Sequence, residues 1–328
     1  MSPSVKSPVS GPTEFEIIQH YFAPLASSVA LGLKDDAACF TAPAGQDLIV
    51  SKDMLVSERH FFAEDAPEDI AYKALSVNVS DLAAKGATPH HYLLGLSLPK
   101  AYAQHRWLAG FAKGLAEAQE RYGIKLVGGD TVSIDGPLCI SITAIGYVAE
   151  GTMIKRSGAQ PGNDIYVSGT LGDAALGLLA IKTGRGHSDR FIQRYHRPQA
   201  QLELGQRLVG IATAAADVSD GLLADVGHVC AASAVGARLL QSKVPLSDDA
   251  AAEIVNDAAL WPLILSGGDD YELVFTTDQS DGNMVAKLSQ DLNIQVTKIG
   301  SIIPSTAMEL VDSTGKLVQV AAKGFEHF

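Results

Sequence analysis

A set of aspartates stands where an ordinary surface charge has little reason to be. Asp36 closes the pair Asp35-Asp36 in GLKDDAACF, between a turn and an apolar stretch. Asp53 sits inside the strand-like run DLIVSKDMLV, where aspartate is disfavoured. Asp81 lies among small and apolar residues in NVSDLAAKGA. Asp130 follows two glycines directly behind an apolar run, and Asp217 and Asp220 bracket Val218-Ser219 ahead of Gly221. Asp269-Asp270 follows Gly267-Gly268. A carboxylate in an apolar setting is costly unless it is paired or bound to a cation. Basic residues near these positions are too few to pair them all. Magnesium is the natural alternative, because it takes carboxylate oxygens together with water and substrate phosphates. The chemistry indicated is metal-assisted handling of phosphates.

Each position also has a plainer reading. Asp35-Asp36 fits a turn, and Asp81 could pair with Lys85 one helical turn on. Asp217 or Ser219 fits a helix N-cap, and both Gly-Gly-Asp segments fit simple turns. Arg156 in IKRSG could clamp a phosphate or lie on the surface. Gly169-Thr170-Leu171-Gly172 could hold a phosphate at a helix N-terminus or merely turn the chain. Their joint appearance carries the argument. The chain has no G-x-x-x-x-G-K-[ST] loop, no dinucleotide fingerprint after its first strand and no protein-kinase H-R-D set.

The elements that must position these residues alternate between strand and helix. Thr13 can cap a short helix that ends near Pro24. Strands are expected at 47–56, 92–98, 124–127, 138–148 and 164–168. Helices are expected at 67–86, 102–122, from 173, and around 188–195 and 199–213. A polar turn at 217–221 leads into another helix, 263–275 carries a Gly-Gly turn and a strand, and a helix and strands fill 282–320. This alternation predicts an α/β (α+β layered) protein. With 328 residues and a pattern that restarts near 150, two domains are expected, 13–150 and 151–328, behind a Ser/Pro-rich tail at 1–12.

Composition narrows the function. The formal charge of -12 argues against a nucleic-acid partner. It would also repel a phosphorylated substrate unless cations intervene locally. The three cysteines are far apart, which suits neither a disulfide framework nor a zinc site and fits a reducing cytoplasm. No run approaches the ~18 apolar residues of a membrane span, so no membrane partner is expected.

Taken together, the segments TEFEII, DDAACF, SKDMLV, AYKALSVNVSDLAAKGATP, LVGGDT, KRSGAQPGNDIYVSGTLGDAALG, DVSDGLLADVGHV, SGGDDYEL and KGFEHF resemble the thiamine-monophosphate kinase family, in family order. The Asp81 stretch is shared more loosely with aminoimidazole ribonucleotide synthetase and selenophosphate synthetase. The resemblance implies two α/β domains, an N-terminal ATP-binding domain whose mixed sheet pairs in a homodimer, and ATP bound with several Mg2+ ions. It implies that Asp36, Asp53, Asp81, Asp130, Asp217 and Asp220 are metal ligands, with Ser51 as a helper. It places Gly129, Asp130, Arg156 and Ser219 on ATP, and His60, Asp269 and Phe325 on thiamine monophosphate. The implied reaction is phosphorylation of thiamine monophosphate to thiamine diphosphate. A sister enzyme of the same superfamily, a nucleotide-binding protein without turnover and a purely structural α/β protein remain as alternatives.

This chain departs from the family at several points. Lys52 replaces a threonine between Ser51 and Asp53, Asp269 replaces a glutamate, and Phe325 stands where tyrosine or tryptophan is common. Strand alternation turns Lys52 away from its two neighbours. A local bulge would instead bring its ammonium into the carboxylates.

Overall fold

The computed structural model describes residues 12–184 and 188–319. In chain order the elements are α1 (Glu14–Ile17), β1 (Gln46–Val56), α2 (Pro67–Ala84), β2 (Thr88–Pro99), α3 (His105–Tyr122), β3 (Lys125–Ile134), β4 (Cys139–Ala149), β5 (Asp164–Ser168), α4 (Asp173–Thr183) and α5 (Asp189–His196). There follow α6 (Leu202–Arg207), β6 (Ala214–Asp217), α7 (Leu222–Ser233), β7 (Gly236–Leu240), α8 (Asp248–Asn256), α9 (Trp261–Ser266), β8 (Leu273–Thr277), α10 (Gly282–Leu292), β9 (Val296–Ile303) and β10 (Met308–Val311). The fold is α/β with two sheets, of order β1-β4-β2-β3 and β10-β7-β9-β5-β8-β6. By contacts the chain forms two compact units, one of residues 12–41, 52–75 and 91–143 and one of 42–51, 76–90 and 144–319 within the described range. No described helix is long and apolar enough to cross a membrane.

In the first unit α2 is buried all round from Ile70, whereas β2 and α3 each bury one face. Ile70, Leu75, Tyr92, Leu94, Leu96, Leu98, Leu108, Phe111 and Leu115 are all buried. The apolar positions of α3 recur at helical spacing, and Gly123 ends the helix in the left-handed conformation, φ 67°. The cap expected at Thr13 is present and takes the form of a capping box, with Glu16 returning to the Thr13 backbone.

The second unit's six-stranded sheet is mixed. β10 and β7 run parallel, whereas β7–β9, β9–β5, β5–β8 and β8–β6 are antiparallel. Helix α7 packs on one face through Leu222, Val226 and Val229, against Val167, Ala216 and Val274. Helices α6 and α10 cover the other face, with Leu204, Leu208, Val285 and Leu288 against Ala215, Leu273 and Phe275. Strands covered on both faces read as continuous apolar runs, which is why β5, β6 and β8 are buried at every residue.

Two departures from the expected elements bear on the site. The Gly128-Gly129-Asp130 segment is not a turn, because β3 continues through it to Ile134. Its parallel pairing with β2 shifts by one residue between Tyr92 and Leu93. A Cβ on Gly129 would stand 1.9 Å from the Leu94 carbonyl oxygen, so only glycine allows the strands this approach. The short strand β6, AAAD, carries too little pattern to be read from sequence. Asp217 is its last residue rather than the start of a turn.

Packing at two helical glycines generates an opposed pair of expectations. A Cβ on Gly114 in α3 would lie 2.0 Å from the Glu68 carbonyl oxygen, whereas a Cβ on Gly227 in α7 would meet nothing within 4 Å. Gly114→Ala is expected to destabilise the protein by about 1–3 kcal/mol through overpacking. Gly227→Ala is expected to stabilise it by up to about 1 kcal/mol through helix propensity. Denaturant unfolding of the two variants beside the parent checks both signs.

Candidate active site

The second unit gathers most of the expected site residues. On β1, Ser51 lies on the half-buried face, and its hydroxyl donates to Asp81 Oδ2 on α2. One turn beyond Asp81, the Lys85 ammonium donates to the carbonyl of Ala215 at 3.0 Å. The expected Asp81–Lys85 pair is therefore replaced by two separate contacts. Burial is the main cause that lowers the Lys85 pKa to about 8, helped by the charge of Arg156 and opposed by Asp217 and Asp81. Ala215 lies on β6 two residues before Asp217, so this buried amine ties the end of α2 to the strand that presents Asp217. Arg156 itself is exposed.

Beyond β6 the chain turns through Val218, Ser219, Asp220 and Gly221 into α7. The backbone N–H groups of Ser219 and Asp220 both donate to Asp225 Oδ2, at 3.0 and 3.1 Å. Asp225 is fully buried, and its Oδ1 has no hydrogen-bond partner. Burial pushes its carboxyl up to about 8, with the neighbouring charges of Asp217 and Asp220 adding to the effect. Ligand atoms of Asp220, Asp225 and His228 lie within 4.8 Å of one another. Asp225 and His228 were not anticipated. Their signal was the spacing D-x-x-H, which puts both on one face of a helix directly after DVSDG.

The donor set fits a hard divalent cation. Carboxylates dominate it, a buried carboxylate oxygen is left without a partner, and the charges of Asp217 and Asp220 add to the burial that raises the proton affinity of Asp225.

Asp269 belongs to the same unit. It takes a left-handed conformation, φ 65°, as does Tyr271, φ 52°. The Asp269 N–H donates to the Ser219 carbonyl and the Tyr271 N–H to the Val218 carbonyl, both at 2.9 Å. The Tyr271 hydroxyl donates to Asp269 Oδ1 at 3.2 Å.

The first unit holds Asp36, Asp53, His60, Gly129 and Asp130. Asp36 is exposed, and its N–H donates to Asp35 Oδ1 at 2.8 Å. Asp53 is half-buried on β1 and Asp130 is exposed on β3. His60 Nδ1 accepts the Val56 N–H at 2.9 Å, so a neutral ring carries its proton on Nε2. Lys52 follows strand alternation. It is exposed, and its ammonium donates to the Ser141 hydroxyl at 2.7 Å. Phe325 lies outside the described residues.

Residues 34–148 match the family described as AIR synthase related protein, N-terminal domain, and residues 160–313 match its C-terminal domain. The protein is thus a two-domain member of the AIR synthase related class. A thiamine-monophosphate kinase of Escherichia coli O157:H7 is 39% identical over 324 residues, spanning 96% of this chain and 98% of that protein. The crystal structure of thiamine-monophosphate kinase from Stenotrophomonas maltophilia K279a matches with a TM-score of 0.79 at 39% identity, over 87% of this chain and 91% of that one. A structure described as AaThiL complexed with AMPPCP and TMP matches with a TM-score of 0.77 at 30% identity over 100% of both chains. The chain belongs to the thiamine-monophosphate kinase family.

The buried acid gives a pH prediction. The Asp225 carboxyl has its pKa raised from 3.8 to about 8, so the folded state holds a proton that the unfolded state releases. Its stabilising contribution is present below about pH 4 and is lost as pH rises through about 8. In metal-free buffer, the parent protein should lose thermal stability between pH 5 and 7.5 more steeply than Asp225→Asn. Parallel Tm profiles for the two proteins would contradict the assignment.

Proposed function

We propose that the chain phosphorylates thiamine monophosphate with ATP, giving thiamine diphosphate and ADP. The observation that carries this reading is the full-length likeness to a structure described with both AMPPCP and TMP. The clustered carboxylates supply the matching chemistry.

The acceptor is a phosphate oxygen that is already an anion. It forms a bond to the γ-phosphorus of ATP while the bond from that phosphorus to the β–γ bridging oxygen breaks. No strong general base is needed, so the work falls on positioning and charge neutralisation. Mg2+, when bound, would supply that neutralisation. Asp36, Ser51, Asp53, Asp81, Asp130, Asp217 and Asp220 would hold it. Gly129, Asp130, Arg156 and Ser219 contact ATP in this reading. His60 and Asp269 orient thiamine monophosphate, the former from an imidazole whose Nδ1 is already engaged by the Val56 N–H. Phe325 joins them on resemblance alone, stacking on a thiamine ring.

The reading includes a cytoplasmic homodimer formed through the N-terminal sheets. Exposed Leu48, Val50 and Met54, on the face of β1 opposite Ser51 and Asp53, support it.

The direct test is formation of thiamine diphosphate from thiamine monophosphate, ATP and Mg2+. Asp81→Asn and Asp130→Asn are each expected to lower kcat by at least ~100-fold, the scale on which lost electrostatic stabilisation is felt. Near-normal rates for both variants at saturating magnesium would overturn the ligand assignment.

A further inference from the structure

The segment that presents Asp269 is conformationally unusual. Gly268, Asp269 and Tyr271 all have positive φ, at 69°, 65° and 52°. Two non-glycine residues in the left-handed region cost free energy and persist only where surrounding structure imposes them. The source of that constraint lies beneath the segment. Asp270 is 1% exposed, and both its carboxylate oxygens accept the Gly172 N–H, at 2.9 and 3.0 Å. Glu272 is 2% exposed, and its Oε2 accepts from the Ser168 hydroxyl at 2.6 Å and from Gln201 Nε2 at 2.9 Å.

One side chain joins these pieces. Arg194, on α5, donates through Nη2 to the Asp270 carbonyl at 3.0 Å and to Glu272 Oε1 at 2.8 Å. The guanidinium is largely buried, and Glu272, Asp270 and Asp173 all favour its charge. It therefore bridges the backbone between the two strained residues to the first carboxylate after them. Both bonds leave from the single nitrogen Nη2, which stands farther from the backbone than a lysine ammonium does.

The facing segment has its own anchor. Ser219 and Asp220 are held through their N–H groups by Asp225. Losing the Arg194 bridge would remove one anchor of residues 269–271, whose N–H bonds to Ser219 and Val218 would remain, and would leave the Asp225 anchor of 219–220 untouched. We propose that Arg194 is a positioning residue for the substrate side of the site, setting the Asp269 carboxylate without touching either substrate. This rests on the reading of Asp269 as a contact to thiamine monophosphate.

The test compares the parent, Arg194→Lys, Arg194→Met and Asp269→Ala, with each arginine variant also made in the Asp269→Ala background. Steady-state constants are measured well below each protein's Tm. Both arginine variants should raise the KM for thiamine monophosphate by about tenfold or more, the scale of losing a hydrogen bond from a charged donor. The KM for ATP should move by less than about twofold, because it depends on groups anchored elsewhere. In the Asp269→Ala background the arginine substitutions should add almost nothing, since their effect passes through that carboxylate. Arg194→Lys keeps a cation in the buried site, so it carries the test if Arg194→Met does not fold. Equal rises in both KM values, full additivity with Asp269→Ala, or a lowered Tm with unchanged KM values would each overturn the inference. A parent protein that forms no thiamine diphosphate would overturn the functional reading and this inference together. An active parent with any of those three results overturns this inference alone.

Discussion

The carboxylates of Asp217, Asp220 and Asp225 crowd together where β6 ends and α7 begins, and their repulsion constrains what can surround them. Two backbone N–H groups engage one oxygen of Asp225. The amine of Lys85 lies close enough for Asp217 to favour its charge. These contacts still leave a fully buried carboxylate oxygen without a partner. A protein interior accepts such a group only as the neutral acid or with a cation. The same arrangement thus explains a proton held near neutral pH and a site suited to a hard dication. A cation there would also offset the charge that so acidic a chain presents to phosphorylated substrates.

Close backbone approach makes this arrangement stiff. A Cβ on Gly268 would lie 2.3 Å from the Ser219 carbonyl oxygen, and one on Gly221 would lie 2.7 Å from the Ser266 backbone. Val218 and Ser219 then accept N–H groups from Tyr271 and Asp269, and the Val218 N–H returns to the Glu272 carbonyl at 2.7 Å. The segment proposed to meet ATP and the segment proposed to meet thiamine monophosphate are thus stitched by main chain. Each has a separate buried anchor, Asp225 beneath one and Arg194 with Glu272 beneath the other.

Part of this was legible beforehand because several acids stand where an ordinary surface charge has little reason to be, with Asp130 and Asp269 directly behind glycines. Long elements with clear periodicity, such as α2, α3 and β1, lay close to where their patterns placed them. Alternation along β1 correctly turned Lys52 away from Ser51, although its partner is the Ser141 hydroxyl rather than an acid. What escaped notice depends on contacts remote in sequence. Gly128-Gly129-Asp130 looks like a turn until β2 is laid against it. Asp225, His228 and Arg194 look like ordinary polar residues of amphipathic helices. Their roles come from burial for Asp225, from the approach to Asp220 for His228, and for Arg194 from Glu272, 78 residues away. Helical spacing allows Lys85 to pair with Asp81, but its ammonium donates to the carbonyl of Ala215 instead.

The central claim is that this carboxylate cluster is built around a divalent cation. It is tested most directly by thermal unfolding of the parent protein across a magnesium titration at fixed AMPPCP. A ligand that binds only the folded state raises stability by mass action, so Tm should climb with magnesium and level off at saturation. The orphaned oxygen and raised pKa of Asp225 further predict that protons are released as the metal binds near pH 7. A Tm independent of magnesium, with no proton release, would contradict the account.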